Sequence, residues 1–469
     1  MLIPGAIALS GRSAPQTSSE DDLAKQQERA ARVRCAGYAQ VVADQIQAYV
    51  SRFDMENVKA GTAPPAVPSI PKLRQQVTQL TARVGGEGCD AAVFRTDLTR
   101  KLDAVRARGP LGEAVTNTLV ANVRDVLEPG TPRHVDVDAG ADLGAAVAAA
   151  PSGSTLTLAA GRFALEDPLV VLQDLTLRGA GLDETTIVST AADAVLLQAA
   201  PVRLVAADIA FAHRGRKPAS VLVLRAGTAR LDAVSVSDAT ARVGRKKASA
   251  SVPDLAGGGN GIIALGNQAL VLRDSVVHDN DASGVVASAD ARPRISETSV
   301  SGNGLCGVCF LGGSKGSVTT STLRDNGIGV IVGNRARPTL HDNTVSGNQR
   351  AGMVTQERAR PVVRANRFTD NGDIGIAVYG RSVPDLRGNT VTGHSQVGIV
   401  VNTDPPARPV VTGNSLSGNT QAGLVFLGRS LGRAVRNQCT GSSPGVVLGG
   451  TSRPDVTAES CPVRDERTG

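Results

Sequence analysis

Over the C-terminal half of the chain, short aliphatic runs alternate with polar residues at a period of two, and a glycine opens each run. Residues 327–348 read GIGVIVGNRARPTLHDNTVSGN, an aliphatic run, an Ala-Arg-Pro hinge and two asparagines five residues apart. The segments on either side, GLCGVCFLGGSKGSVTTSTLRDN at 304–326 and QRAGMVTQERARPVVRANRFTDN at 349–371, have the same layout. The glycines that open the aliphatic runs are Gly261, Gly284, Gly307, Gly329, Gly352, Gly375, Gly398, Gly423 and Gly445. Their spacings are 23, 23, 22, 23, 23, 23, 25 and 22 residues. Self-similarity at such a period predicts a solenoid.

Each unit predicts three short strands joined by turns, which return the chain one strand spacing, about 4.8 Å, above its start. A single coil cannot bury its own apolar side, so the units are stable only when stacked. Asn303, Asn326, Asn348, Asn371 and Asn419 recur at one turn, with His394 in place of one member, and Asn343, Asn366, Asn389, Asn414 and Asn437 recur at another. Asparagine tolerates tight turns, and its amide can bond both the backbone and the asparagine stacked on it, so these columns are expected to be structural.

Before the repeats the period is helical. Cys35, Tyr38, Val42, Ile46, Tyr49 and Phe53 share one helical face, as do Leu73, Val77, Leu80 and Val84. Phe94, Leu98, Leu102 and Val105 form another stripe, and Leu111, Val115, Leu119, Val123 and Val126 a last one that stops at Glu128-Pro129-Gly130. The Pro-rich segment 61–71 separates the first helix from the rest. The expected organisation is a signal-like or disordered N-terminus over 1–19, a small helical bundle over 20–130, a mainly β solenoid over 131–461 and a tail over 462–469.

The stretch AAVAAAPSGSTLTLAAGRFALEDPLVVLQDLTLRGAGLDETTIV resembles the opening segment of the pectin-lyase-like right-handed parallel β-helices. The G-[ILV]-x-[ILV]…ARPxV…NxVxxN units resemble the repeats of that superfamily and of periplasmic β-helix proteins of copper-reductase maturation. The resemblance spans roughly 133–461 and leaves the helical front outside it. It implies a right-handed parallel β-helix. For function it implies only a range: lyases, hydrolases, epimerases, tail spikes and non-enzymatic proteins.

Family pectinases carry their chemistry on the outer face of one strand ladder. Here the second residue after each glycine is expected to face outward, and it is Ile263, Val286, Cys309, Ile331, Val354, Ala377, Val400, Val425 and Val447. None is a carboxylate or a base, whereas glycoside hydrolysis needs two placed carboxylates. This apolar column is expected to be covered, either by the helical front or by another subunit, or else to stand as an exposed stripe.

The second ladder is more polar, with Arg273, Ser296, Thr319, His341, Arg364, Arg387, Thr412 and Arg436 at one outward position. The hinge arginines Arg292, Arg337, Arg360 and Arg408 make another basic row. Spaced guanidiniums suit a two-pronged grip on carboxylates, sulfates or phosphates of a linear polymer. The alternative is a solvated face interspersed with acids such as Asp342 and Asp385. The insertion 241–253, with Arg242, Arg245, Lys246 and Lys247, reads as a loop, with anion binding as the alternative.

Composition narrows the partners. Ten aromatic residues, 7 Phe and 3 Tyr with no Trp, leave few platforms for neutral sugars or for the bases of nucleic acid. A net charge of +7 favours an anionic partner without identifying one. The leading expectation is a non-catalytic binding or structural module for acidic polysaccharide or cell-envelope polymer. The alternatives are a polysaccharide lyase, epimerase or hydrolase, and a protein scaffold or oligomer using the apolar column. The five histidines show no ligand spacing, and no metal or cofactor is expected, calcium entering only with lyase chemistry.

Cys439 and Cys461, 22 residues or one coil apart, are placed at equivalent turn positions, where stacked residues come within disulfide reach. Cys35 and Cys89 are a second candidate pair. Cys306 and Cys309 form a C-x-x-C, which alone suggests metal or redox work, but on an extended strand residues three apart face oppositely, so a bonded or metal-sharing pair would require a turn or bulge. Cysteine pairing points to a secreted, periplasmic or envelope location of bacterial type. No apolar run reaches the length of a membrane span. Leu9-Ser10-Gly11-Arg12 resembles a lipobox in which Arg12 stands where the acylated cysteine would be, and Leu2–Leu9 lacks the basic flank of a full signal.

Overall fold

A computed structural model describes residues 17–51, 75, 77–80, 91–105, 119–120, 123, 132–242, 255, 257–457 and 460–468. The N-terminal and lipobox-like stretch, most of the 241–253 insertion, and the Cys35 and Cys89 side chains lie outside the described residues.

Near the N-terminus are α1 (Thr17–Ser51) and α2 (Ala91–Leu102). They bury the apolar stripes that helical spacing predicts. Val42 and Ile46 are each 1% exposed, and Phe94 and Leu98 are fully buried. A short helix, α3 (Leu143–Ala149), follows the first solenoid strand and is capped by Asp142, whose carboxylate accepts from the Ala145 N–H at 2.9 Å.

From His134 to Arg467 the chain is a parallel solenoid. One face is a 13-stranded sheet in which each strand pairs with its equivalent one coil on. The other two faces merge into a 24-stranded sheet, because two long strands, Val202–His213 and Gly227–Ser237, run through the corner between them. Each pairs with separate short strands on both sides of that corner. Asp208 and Ala233 turn the corner in left-handed conformations, with φ of 59° and 48°. Residues 462–469, assigned to a tail by sequence, are corrected here. Val463–Arg467 pairs with Val446–Gly450 and closes the 13-stranded sheet.

The repeating glycines answer to space rather than to φ, since none of Gly261, Gly284, Gly307, Gly329, Gly352, Gly375 or Gly398 has positive φ. A Cβ at Gly352 would lie 2.7 Å from the Gly375 carbonyl oxygen and 2.9 Å from the Asn371 amide nitrogen. The same clash recurs from Gly261 to Gly398, so the glycine column and the first asparagine column are two sides of one packing unit.

Both asparagine columns are buried hydrogen-bond ladders. Asn303 donates to Asn326 at 2.8 Å, Asn326 to Asn348 at 3.1 Å and Asn348 to Asn371 at 2.7 Å. The second column runs Asn343, Asn366, Asn389, Asn414 and Asn437, with amide-to-amide distances of 2.9 to 3.1 Å. His394 continues the first column. Its Nδ1 lies 3.1 Å from the Asn371 N–H, and its own N–H donates to Asn419 at 3.2 Å.

Cys439 and Cys461 are bonded, with Cα atoms 4.8 Å apart. The turn position expected for Cys439 is corrected. It lies on the strand Gln438–Thr440 and pairs with Leu416, on an inward-facing rung.

Candidate functional site

The outward column of the 13-stranded sheet is apolar, as expected. Ile263, Val286, Cys309 and Ile331 are 0 to 1% exposed although they face away from the coil interior, so they are covered within the monomer. They fall in one continuous apolar cluster with Ala39, Val42, Ile46, Phe94 and Leu98 of the helices. Further along, Val397, Val400, Ala422 and Val425 form a separate small cluster with Ile374, Tyr379 and Val447. Burial raises the Tyr379 phenol above its ordinary pKa.

The same face holds Cys306 and Cys309, which are bonded, with Cα atoms 6.1 Å apart. The pairing register explains how residues three apart meet. Cys306 pairs with Ile328 and Val308 with Val330, while Gly307 and Gly329 are skipped. The ladder is interrupted at the glycine on both strands alike, and this break in the alternation lets both side chains meet; both are fully buried.

On the polar ladder the register places Arg273, Ser296, Thr319, His341, Arg364, Arg387 and Thr412 in one column. Arg436 leaves this column. Thr412 pairs with Val435, because Ala434 is the inward residue of that strand, and Arg436 occupies the following turn with φ 56°. The column's charges are matched by acids. Arg273 reaches Asp274 at 3.1 Å and Asp232 at 3.7 Å, Arg364 and Arg387 share Asp385, and His341 pairs with Asp342 at 2.6 Å.

The hinge arginines Arg292, Arg337 and Arg360 are exposed where the chain passes from the 13-stranded to the 24-stranded sheet, Arg337 as the first residue of a strand, and Arg408 occupies the same corner further on. Backbone bonding stacks them with a residue that sequence reading passed over, Lys315. Its N–H donates to Ala291, that of Arg337 to Ser314 and that of Arg360 to Ala336. The missed signal was the repeat phase: Lys315 occupies the hinge position of a coil that lacks the Ala-Arg-Pro motif.

Carboxylates gather in two places. Asp142, Glu166 and Asp167 border the hollow beside α3. On the third face, His278 contacts Asp279 at 2.8 Å and the Ser235 hydroxyl at 3.3 Å, beside a groove of about 450 Å³ lined by His278, Asp279, Ser301, Arg324 and Asp325. Among the described residues no group of three or more His, Cys, Asp or Glu is arranged to hold a metal ion.

With this geometry in view, the right handed beta helix region family matches residues 260–406. The chain folds as a right-handed parallel β-helix. The Azotobacter vinelandii mannuronan C-5 epimerase AlgE6 A-module is similar in structure, at 15% identity and a TM-score of 0.52, over 69% of this chain and 93% of that one. The catalytic unit of a GH87 alpha-1,3-glucanase from Streptomyces thermodiastaticus strain HF3-3 aligns at 14% identity and a TM-score of 0.49, over 73% of this chain and 69% of that one. No curated relative is detected by sequence. At 15% identity the likeness to the epimerase module carries the β-helix fold and no activity.

Proposed function

We propose that this β-helix protein is a non-catalytic module that binds a linear anionic polymer, an acidic polysaccharide of the cell envelope, outside the cytoplasm. The observation that carries the reading is the stacking of exposed cations, coil on coil, along the outside of the solenoid. The outward column of the opposite sheet, where family pectinases hold their chemistry, carries only aliphatic residues and a bonded cysteine. Two disulfides agree with an oxidising compartment, and no helix among the described residues is long and apolar enough to cross a membrane.

A catalytic reading has one specific foothold, the Ser235–His278–Asp279 contact beside its groove. That chain of contacts has the order of a nucleophile, a base and an orienting acid. It supplies no identified donor pair for an oxyanion, because the neighbouring Gly302 N–H is directed at the Arg324 carbonyl.

The two readings separate in one experiment. The purified protein is mixed with acidic and neutral polysaccharides and followed by size-exclusion chromatography with light scattering. Salt-sensitive complexes with acidic chains of unchanged length are expected. Shortened chains, or ester or unsaturated-end chemistry lost in Ser235→Ala, would replace the binding reading with an enzymatic one.

A further inference from the structure

Resting on that reading, we infer that the polymer is held on the turn edge rather than on the arginine ladder, runs along the solenoid axis, and carries one anionic group per monomer. The edge consists of two adjacent rows. Arg292, Lys315, Arg337 and Arg360 stack in four consecutive coils. Arg335 and Arg358 stack beside Arg337 and Arg360, two residues earlier in each coil, with Arg358 N–H donating to the Asn334 carbonyl and Arg335 N–H to that of Gly312, and Arg381 continues this row one coil on, two residues before Val383, whose N–H donates to the Ala359 carbonyl. The inward residue between the rows, Ala336 or Ala359, is fully buried, so both flanking arginines point to solvent.

The two basic surfaces differ in what already neutralises them. Arg364 and Arg387 on the ladder both grip Asp385, and Arg273 is shared between Asp232 and Asp274. A polyanion there would have to displace an internal carboxylate from each fork. Among the described residues, none of the seven edge cations makes an ion pair. Glu357, which directly precedes Arg358 in sequence, instead accepts from the Asn334 amide at 2.6 Å.

Like charges set opposite one another on neighbouring strands are unfavourable, and at about 4.8 Å per coil they lie well inside the screening length of physiological salt, about 8 Å. A row of cations at that spacing is best relieved by a counter-chain of matching repeat. A polymer with one carboxylate per sugar presents such a repeat. A polymer charged on alternate sugars leaves every second cation unmatched, and the phosphates of a duplex strand, which advance about 3.4 Å each along the helix axis, wind around that axis rather than following a straight row.

The test measures binding of the full chain to polygalacturonate, to hyaluronan (one carboxylate per two sugars) and to inorganic polyphosphate, at two salt concentrations. The edge variant is R335Q/R337Q/R358Q/R360Q, with R337Q/R360Q as its milder form, and the ladder variant is R364Q/R387Q. Equal unfolding midpoints establish that each variant is folded. The expected result is tightest binding to polygalacturonate at equal charge. The edge variant should weaken Kd about tenfold or more, and the ladder variant less than about twofold. Loss in the ladder variant with an intact edge variant would overturn the edge assignment while keeping polymer binding. Equal affinity for hyaluronan or polyphosphate would overturn the spacing argument. Absence of binding to all three would overturn the proposed function itself.

Discussion

Asn348 offers a quantitative test of what joins the coils. Its side chain is fully buried and makes four hydrogen bonds. The amide donates to Asn371 Oδ1 at 2.7 Å and to the Leu323 carbonyl at 3.2 Å, and its oxygen accepts from the Asn326 N–H at 3.0 Å and the Asn326 amide at 3.1 Å. In Asn348→Ala the Asn326 amide keeps the Val300 carbonyl at 3.0 Å, and Asn371 Oδ1 keeps the residue 348 N–H at 3.2 Å. The Asn326 backbone N–H loses its partner, and the Leu323 carbonyl loses the amide. A stranded buried donor costs about 1–3 kcal/mol, and the void left by the carboxamide adds about 1 kcal/mol or more. The expected loss is about 2–5 kcal/mol, read from urea midpoints at an unchanged slope. Amide exchange should accelerate in the coils from Asn326 to Asn371 before it does at the ends. Exposed Asn402→Ala is the control and should stay within about 0.5 kcal/mol. A loss below about 1 kcal/mol in Asn348→Ala, or acceleration confined to the termini, would refute the view that the ladder couples adjacent coils.

Two further outcomes are expected. Cys439→Ser removes the link that closes a 22-residue segment at the C-terminal coil. It should cost about 3 kcal/mol locally, seen as early proteolysis after residue 440, and unchanged proteolysis would deny the link a capping role. His213 and His394 are buried, and burial lowers both pKa values from 6.5, against the pull of Asp238 and Asp281 on the first and Asp370 on the second. The unfolded chain therefore takes up protons near pH 6.5 that the folded chain refuses, so stability should fall as pH drops through 6.5 and level off below the folded pKa values. Unfolding midpoints between pH 7.5 and 5 check this, and His394→Asn should flatten part of the slope. An unchanged slope in that variant would remove His394 from the account.

Features carried by contacts of fixed sequence separation are legible in the letters, and features that depend on irregular contacts are not. The solenoid, its phase and its two asparagine columns can be read from the repeat alone, because they depend on contacts between residue i and its equivalent one coil later. Any side chain that suits one coil must suit the next, so Gly352 and Asn371 repeat in the letters as they do in space. The stripes of Val42, Ile46, Phe94 and Leu98 were legible for a similar reason, since helical burial is periodic. The tertiary structure alone decided what breaks the period or lies between columns. It interrupted the strand pairing at Gly307, where Cys306 and Cys309 come together. It moved Arg436 off the ladder through a one-residue register choice at Ala434. It turned 463–467 from a tail into the closing strand, and it buried the outward column from Ile263 to Ile331. It also distinguished arginines of identical appearance in the sequence: among the described residues those at the edge make no ion pair, while Asp385 holds Arg364 and Arg387 on the ladder. Charge pairing depends on which side chains face each other across coils and corners, and that distance is not written in the order of residues along the chain.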